Sequence, residues 1–308
     1  MEDSVNEYLC GTFYISQDRR MTEKKGLVLE GGALRGLFTA GVMDVMMENG
    51  IEFDGLIGVS AGAAFGCNYK SRQPGRVIRY NKRYAHDWRY CSVKSLLKTG
   101  DLFGAEFAYH MLPDELDKFD VSTFDCHPME FYAVCTDVLT GEPVYQRLMH
   151  HGYAMNEWIR ASASMPLASK VVAVEGHQLL DGGIADSIPL RFFEQQGYNK
   201  NVVVLTQPKG YVKKPNPLMP LIRLQLHRYP QFLKATAERH IMYNEETEYV
   251  ARQEKDGKAF VIRPKSTLPI NHITHDPELM QEVYEAGRSA MQARLAALKS
   301  FLINSYEA

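Results

Sequence analysis

Cysteine is scarce and unpatterned in this sequence. Cys10, Cys67, Cys91, Cys126 and Cys135 are odd in number and form no C-x-x-C pair. That argues against a disulfide framework or a zinc site and for a reducing compartment. An excess of one charge is also missing. The formal net charge is −2, which gives no overall field to attract nucleic acid. No apolar run is long enough to cross a bilayer as a helix. The opening stretch MEDSVNEYLCGTFYISQDRR carries acids and no apolar segment, so it does not read as a signal peptide. We expect a polar leader over residues 1–23, with Met21 a second candidate start, and a cytoplasmic protein. Internal repeats and low-complexity tracts are lacking too.

What remains is an ordinary globular composition, 45% hydrophobic and 23% charged in 308 residues. It predicts one large domain, or a core with an appendage. "GLVLEGG" (26–32) reads as a short buried strand and "ALRGLFTAGVMDVMMENG" (33–50) as a helix closed by Gly50. "FDGLIGVS" (53–60) and "AGAAFGCNY" (61–69) repeat the order. Strand-helix-strand-helix predicts parallel pairing and an α/β fold. Hairpins are expected over 129–148, around Thr140-Gly141, and over 169–183. "YAMNEWIRASASMP" (153–166) reads as a helix stopped by Pro166. "NVVVLTQ" (201–207) reads as a strand buried on both faces. Four prolines and three lysines in 208–220 mark a linker or an excursion. Helices over 221–256 and 277–303 and a strand over 258–264 follow.

Ser60 lies between Gly58 and Gly62 as G-x-S-x-G, where the second strand meets the second helix. With 15 serines and 23 glycines, chance alone places that pattern about 0.08 times per chain of this length. Context therefore has to carry it. A nucleophile elbow needs small residues two before and two after the serine. Against it stands a plain βα turn with a silent serine. "EGGALRG" (30–36) can gather backbone N–H groups around an anion. Its spacing fits neither G-x-G-x-x-G, since residue 33 is Ala, nor a P-loop, since Leu37 follows Gly36. Alone it reads as a helix-capping turn. "DGG" (181–183) alone reads as a turn after a strand.

Together these three stretches resemble the motifs of the patatin-like phospholipase family, over residues 26–206. Gly31, Gly32, Arg35 and Gly36 match its oxyanion loop G-G-G-x-R/K-G, with Ala33 at the third glycine. Gly58, Ser60 and Gly62 match its nucleophile elbow. Asp181, Gly182 and Gly183 match its D-G-G/A motif. "CTDVLTGEP" (135–143) and "RASASMP" (160–166) resemble further segments of that family. The resemblance implies a mainly parallel sheet flanked by helices and a hydrolase domain over 24–207; the pattern of the remaining residues adds a mostly helical extension over 208–308, with packing on that core one option. It implies a Ser60–Asp181 dyad acting on lipid esters, phospholipids or lysophospholipids, with no cofactor and no metal. The oxyanion hole would be Gly31, Gly32, Ala33, Arg35 and Gly36, with N–H donors near Gly32, Ala33 and Arg35. A small-ester carboxylesterase, an acyltransferase and a non-catalytic lipid-binding module stay open. So does an α/β-hydrolase triad of Ser60, Asp181 and one of His227, His240, His272 or His275.

Residues 70–98 hold nine Lys/Arg against Asp87, with Tyr80, Tyr84, Trp88 and Tyr90 interleaved. That mixture suits peripheral contact with an anionic membrane. RNA is the competing partner, disfavoured by the overall charge. The bland alternative is a solvated helical cap with buried aromatics. Trp158 reads as core. His150-His151 has no third partner at metal-ligand spacing, so no metal is assigned.

Overall fold

The computed structural model describes residues 23–271 and 273–303. The expected leader, Cys10, Met21 and His272 lie outside the described residues, apart from Glu23 at the leader's end. An eight-stranded mixed sheet forms the centre. Its strands are β1 (Lys24–Leu29), β2 (Gly55–Val59), β3 (Glu130–Asp137), β4 (Pro143–Arg147), β5 (Val172–Val174), β6 (His177–Asp181), β7 (Tyr198–Val204) and β8 (Ala259–Ile262). The order across the sheet is β5-β6-β3-β2-β1-β7-β8, with β4 also on β3. Strands β3, β2, β1, β7 and β8 run parallel, while β4, β5 and β6 are antiparallel to their neighbours. The parallel strands read as unbroken apolar runs because helices cover both faces.

The helices are α1 (Gly36–Glu48), α2 (Ala61–Lys70), α3 (Arg76–Arg83), α4 (Val93–Thr99), α5 (Val121–Cys126), α6 (Tyr153–Ser162), α7 (Leu190–Gln195), α8 (Met219–Gln225), α9 (Pro230–Lys255), α10 (Pro277–Gln292) and α11 (Leu295–Ile303). Single 3-10 turns occupy Ala33–Arg35 and Gly182–Ile184, and Phe107–Leu116 is a π-helical segment. Helix α6 ends at Ser162, before the Pro166 stop. The last helical stretch divides into α10 and α11.

Helix α1 is apolar on nearly all sides and buried from Gly36 to Met46. It is sandwiched between the sheet and α10. A Cβ on Gly41 would lie 2.1 Å from the Tyr284 carbonyl oxygen, and one on Gly287 would lie 2.0 Å from that of Phe38. The two helices therefore cross with their backbones in contact. Strand β8 lengthens the sheet beside β7. The segment after residue 207 thus shares the sheet and the core of the preceding part.

Candidate active site

Strand β2 delivers Ser60 at its carboxyl end, and α2 begins at the next residue. Ser60 has φ 55° and ψ −121°, a strained conformation for a residue with a Cβ. The strain persists because the turn is locked from all sides. A Cβ on Gly58 would lie 2.4 Å from the Gly62 carbonyl group, and one on Gly62 would lie 2.4 Å from the Leu29 oxygen. Both glycines are required by close backbone approach. The Ser60 N–H donates to Ser162 Oγ at 2.9 Å, and that hydroxyl donates to the Val134 carbonyl at 2.6 Å. Ser162 stands at the end of α6, inside the stretch "RASASMP". Sequence reasoning gave it no role; a serine among small residues carries no local signal.

Asp181 ends β6, held on β3 by the pairing of Cys135 with Asp181. Its N–H donates to Ser164 O at 2.8 Å, and Thr136 Oγ1 donates to its carbonyl at 2.8 Å. The carboxylate is 3% exposed with its residue. Oδ1 accepts the Gly183 N–H at 2.8 Å, and the Ser60 hydroxyl lies near enough to favour the charged carboxylate. Burial pushes the Asp181 pKa above the usual carboxylate value. The positive charge of Arg239, the Ser60 hydroxyl, the Gly183 N–H and the charge of Lys213 oppose that push. Arg239 and Lys213 come from the segment after 207, where no sequence motif marks either residue.

The glycine-rich loop lies against the elbow. A Cβ on Gly31 would lie 2.9 Å from that of Ser60, and one on Gly36 would lie 2.9 Å from that of Ala61. Ala33 adopts φ 48°, so the methyl that replaces the third glycine is accommodated at some strain. One expectation needs correcting. The Arg35 N–H donates to Gly32 O at 3.0 Å and the Gly36 N–H to the carbonyls of Ala33 and Leu34. The 3-10 turn consumes both donors, so neither is free for an oxyanion. Among the described residues the N–H groups of Gly32, Ala33 and Ala61 have no partner within the protein. Glu30, just before the loop, is buried; it accepts from Thr206 N at 2.6 Å and from the Tyr243 hydroxyl at 2.7 Å. Burial raises its pKa, against those two bonds and the charges of Arg35 and Lys213.

Ser60 forms part of the wall of a cavity of about 110 Å³. Apolar side chains such as Leu34, Phe65, Leu112, Met155 and Ile159 surround it, with Asn81, Asn156 and His151 among them. The aromatics of the basic stretch belong here. Tyr80 and Tyr90 are buried, line this cavity and meet edge to face with centroids 6.3 Å apart.

Most cations of 70–98 are already engaged. Lys70 is fully buried, donating to Met149 O with its ammonium over the Phe124 ring. Arg76 and Arg79 both pair with Asp117, Arg72 with Glu52 and Arg89 with Asp87. Arg83, Lys94 and Lys98 are exposed and, among the described residues, make only aromatic contacts, with Tyr84 and Trp88. Trp158 is core, as expected, and donates to Glu175. Among the described histidines, His227 and His240 bond carbonyls of their own helical segments and His275 bonds Ala85 O. None of the three meets Asp181. Among the described residues no group of three His, Cys, Asp or Glu is placed to hold a metal ion, and no helix is long and apolar enough to cross a membrane.

The family model for patatin-like phospholipase matches residues 27–193. A second model, a domain of unknown function (DUF6363), matches residues 229–303. The uncharacterized protein YjjU of Escherichia coli strain K12 is 27% identical over 305 residues, covering 90% of this chain and 78% of that protein. Lysophospholipase NTE1 of Candida glabrata is 29% identical over 181 residues, 56% of this chain and 10% of that protein. NTE1 of Coccidioides immitis is 30% identical over 203 residues, 63% of this chain and 12% of that protein. The chain thus spans about a tenth of the length of these fungal relatives. The solved structure of VipD from Legionella pneumophila overlays at TM-score 0.44 and 11% identity, over 90% of this chain and 67% of that one, too distant to argue from. The patatin-like match covers more than half of the chain, and its span holds the Ser60 elbow, the glycine-rich loop and Asp181. This chain belongs to the patatin-like phospholipase family of lipid acyl hydrolases.

Proposed function

We propose that the chain hydrolyses the carboxylic esters of phospholipids or lysophospholipids through a Ser60–Asp181 dyad. The observation that carries the reading is the buried Asp181 carboxylate held against the hydroxyl of a strained Ser60, at the wall of an apolar cavity. Asp181 takes the Ser60 proton as Oγ attacks the ester carbonyl carbon. The N–H groups of Gly32 and Ala33, pointing from the turn ahead of α1, receive the developing oxyanion. Collapse expels the alcohol, which takes the proton back from Asp181 and leaves an acyl-enzyme. Water then attacks the acyl carbon and gives its proton to Asp181; collapse releases the fatty acid as Ser60 Oγ takes that proton from Asp181, restoring both groups.

A carboxylate is a weak base at neutral pH. Burial strengthens it by raising its pKa, while Arg239 and the Gly183 N–H keep enough of it ionised. The acyl chain occupies the cavity beside α2 and α6. Helix α4 carries the exposed apolar Val93 and Leu97 beside Lys94 and Lys98. This supports contact of α4 with an anionic lipid surface, on the cytoplasmic side of a membrane. The test is hydrolysis of a lipid panel by the purified protein, with product analysis and Ser60→Ala as control. Release of free fatty acid that is lost in Ser60→Ala supports the reading. Transfer of the acyl group to an added alcohol in preference to water would replace it with an acyltransferase. Turnover that survives in Ser60→Ala would overturn the dyad.

A further inference from the structure

We propose that Lys213 and Arg239, brought to the rim of the Ser60–Asp181 site by the segment after residue 207, form with Arg35 a subsite for a phosphoryl group on the alcohol side of the ester. This deepens the hydrolase reading and rests on it for the identity of the ester.

Three cations lie near one another there, within the electrostatic reach of Glu30 and Asp181, and among the described residues none of the three closes a salt bridge. Arg239, on α9, donates Nε to the Gly183 carbonyl at 2.5 Å. Its Nη2 and Asp181 Oδ1 each lie 3.0 Å from the point a Gly183 Cβ would occupy. The guanidinium therefore sits beside the carboxylate of the dyad without an ion pair to it. A guanidinium has five N–H donors, and this one spends a single bond on a neutral oxygen. Arg35 follows the free oxyanion donors by two residues, and its buried Nε has no partner among the described residues. The Lys213 ammonium stands 4.1 Å from the centre of the Tyr243 ring and has no ion pair among the described residues. Tyr243 bonds Glu30, which bonds Thr206 N, and Thr206 Oγ1 bonds Gly31 O at 3.0 Å. Lys213 is thereby tied to the oxyanion loop through a continuous chain of contacts.

One cation beside Asp181 suffices to help it ionise. Three positive groups repel one another, and the cost shows on Lys213. Its pKa is held down to about 8, first by burial, then by Arg239 and to a smaller degree Arg35, while the charges of Glu30 and Asp181 oppose them. An anion placed among the three relieves that repulsion and restores the full ammonium charge. Glu30 and Asp181 offset part of that repulsion but close no ion pair with the three among the described residues: the first is bonded to Tyr243 and Thr206, the second to the Gly183 N–H. A forked guanidinium with a point-charge ammonium matches a tetrahedral phosphoryl group. The position also fits. All the residues around the acyl cavity come from Met165 or earlier in the chain. Arg239 comes from the other part and reaches Asp181 through Gly183, while Lys213, from the same part, acts on Asp181 by its charge. An ester in the site has its acyl chain on the first side and its alcohol available to the second.

The experiment compares two esters with the same acyl chain, 1-acylglycerol 3-phosphate and 1-monoacylglycerol, as short-chain monomers. We expect the wild type to favour the phosphorylated ester in kcat/KM. Lys213→Met should lower the ratio about tenfold or more, the scale of one lost charge-assisted hydrogen bond. Lys213→Arg should restore most of it, which a purely structural lysine would not. A second arm titrates inorganic phosphate against hydrolysis of the uncharged ester. Inhibition by phosphate that disappears in Lys213→Met, with no preference between the two esters, supports the anion site and assigns it to free phosphate. Equal kcat/KM for both esters together with no effect of phosphate overturns the proposal. If no ester is cleaved, the hydrolase reading has failed. Calorimetric binding of glycerol 3-phosphate to the wild-type protein, lost in Lys213→Met, then still supports the subsite, and no binding overturns it.

Discussion

The backbone N–H of Ser60 is bound by the hydroxyl of Ser162, at 2.9 Å and 102 residues away in the chain. The same hydroxyl donates to Val134 O on β3. One buried side chain therefore joins the elbow, the end of α6 and the neighbouring strand. The positive φ of Ser60 is stored strain, and this link is part of what holds it.

Replacing Ser162 by Ala leaves a donor and an acceptor buried and unpaired. The expected loss is about 1–3 kcal/mol of stability. The elbow should also loosen, lowering kcat more than it raises KM. Urea unfolding and steady-state kinetics on a soluble ester check both. Wild-type kcat in a destabilised variant would leave Ser162 as packing alone.

Ser60 should be the residue modified by a fluorophosphonate probe, and Ser60→Ala should abolish labelling. Ser60→Ala and Asp181→Asn should each lower ester turnover by about 10³-fold or more in folded protein. His227, His240, His272 and His275, each changed to Gln, should stay within about tenfold of wild type, less than loss of a general base costs. A folded His variant as inactive as Ser60→Ala would replace the dyad with a triad.

The dyad needs Asp181 ionised, and burial raises its pKa above the ordinary 3.8. kcat/KM should therefore fall as pH drops through a value above that figure. Arg239→Met removes a charge that favours the carboxylate, so the acid limb should move to higher pH. Arg239→Lys should move it part of the way back. A limb that does not shift between wild type and Arg239→Met would separate Arg239 from the base.

Asp186 and Glu246, both half-buried, face each other where α9 meets the loop after Gly183. Tyr145 donates to Asp186 at 2.7 Å, and the N–H groups of Ser187 and Ile188 donate to Glu246. Burial raises both pKa values, with Glu246 raised further by Asp186. Folded protein then holds more protons than unfolded protein above the ordinary carboxylate values. Stability from the shared proton is full below those values and is lost as pH rises through the raised ones. Glu246→Gln imitates the protonated form and should flatten that decline in denaturant midpoints between about pH 4.5 and neutrality. An unchanged slope would show that the pair is not what titrates.

On α4, Lys94→Glu with Lys98→Glu should weaken binding to anionic vesicles by about tenfold or more at low salt. Raised salt should reduce the wild-type affinity in the same direction. Turnover of a soluble monomeric ester should change little. Reversing Arg79 instead would break its pair with Asp117, so it tests folding as much as lipid contact. Equal binding of wild type and double variant to anionic vesicles would remove α4 from the interface.

What the sequence determined by itself is local. The elbow from Gly58 to Gly62 and the turn from Gly31 to Gly36 are set by clashes between near neighbours, and residues a few positions apart specify them. The alternation of strand and helix before residue 70 rests on the same short-range patterns. Only the tertiary structure decided what the distant groups do. It spent Arg76 and Arg79 on Asp117, used up the Arg35 and Gly36 N–H groups within the turn, set Ser162 behind Ser60, and carried Lys213 and Arg239 to Asp181. Such contacts have no periodicity and no fixed spacing, because they arise when β8 and α10 close the chain onto its own first helix and sheet. A lone serine, lysine or arginine takes its partners, its burial and its pKa from that closure, and these physical surroundings decide its chemistry.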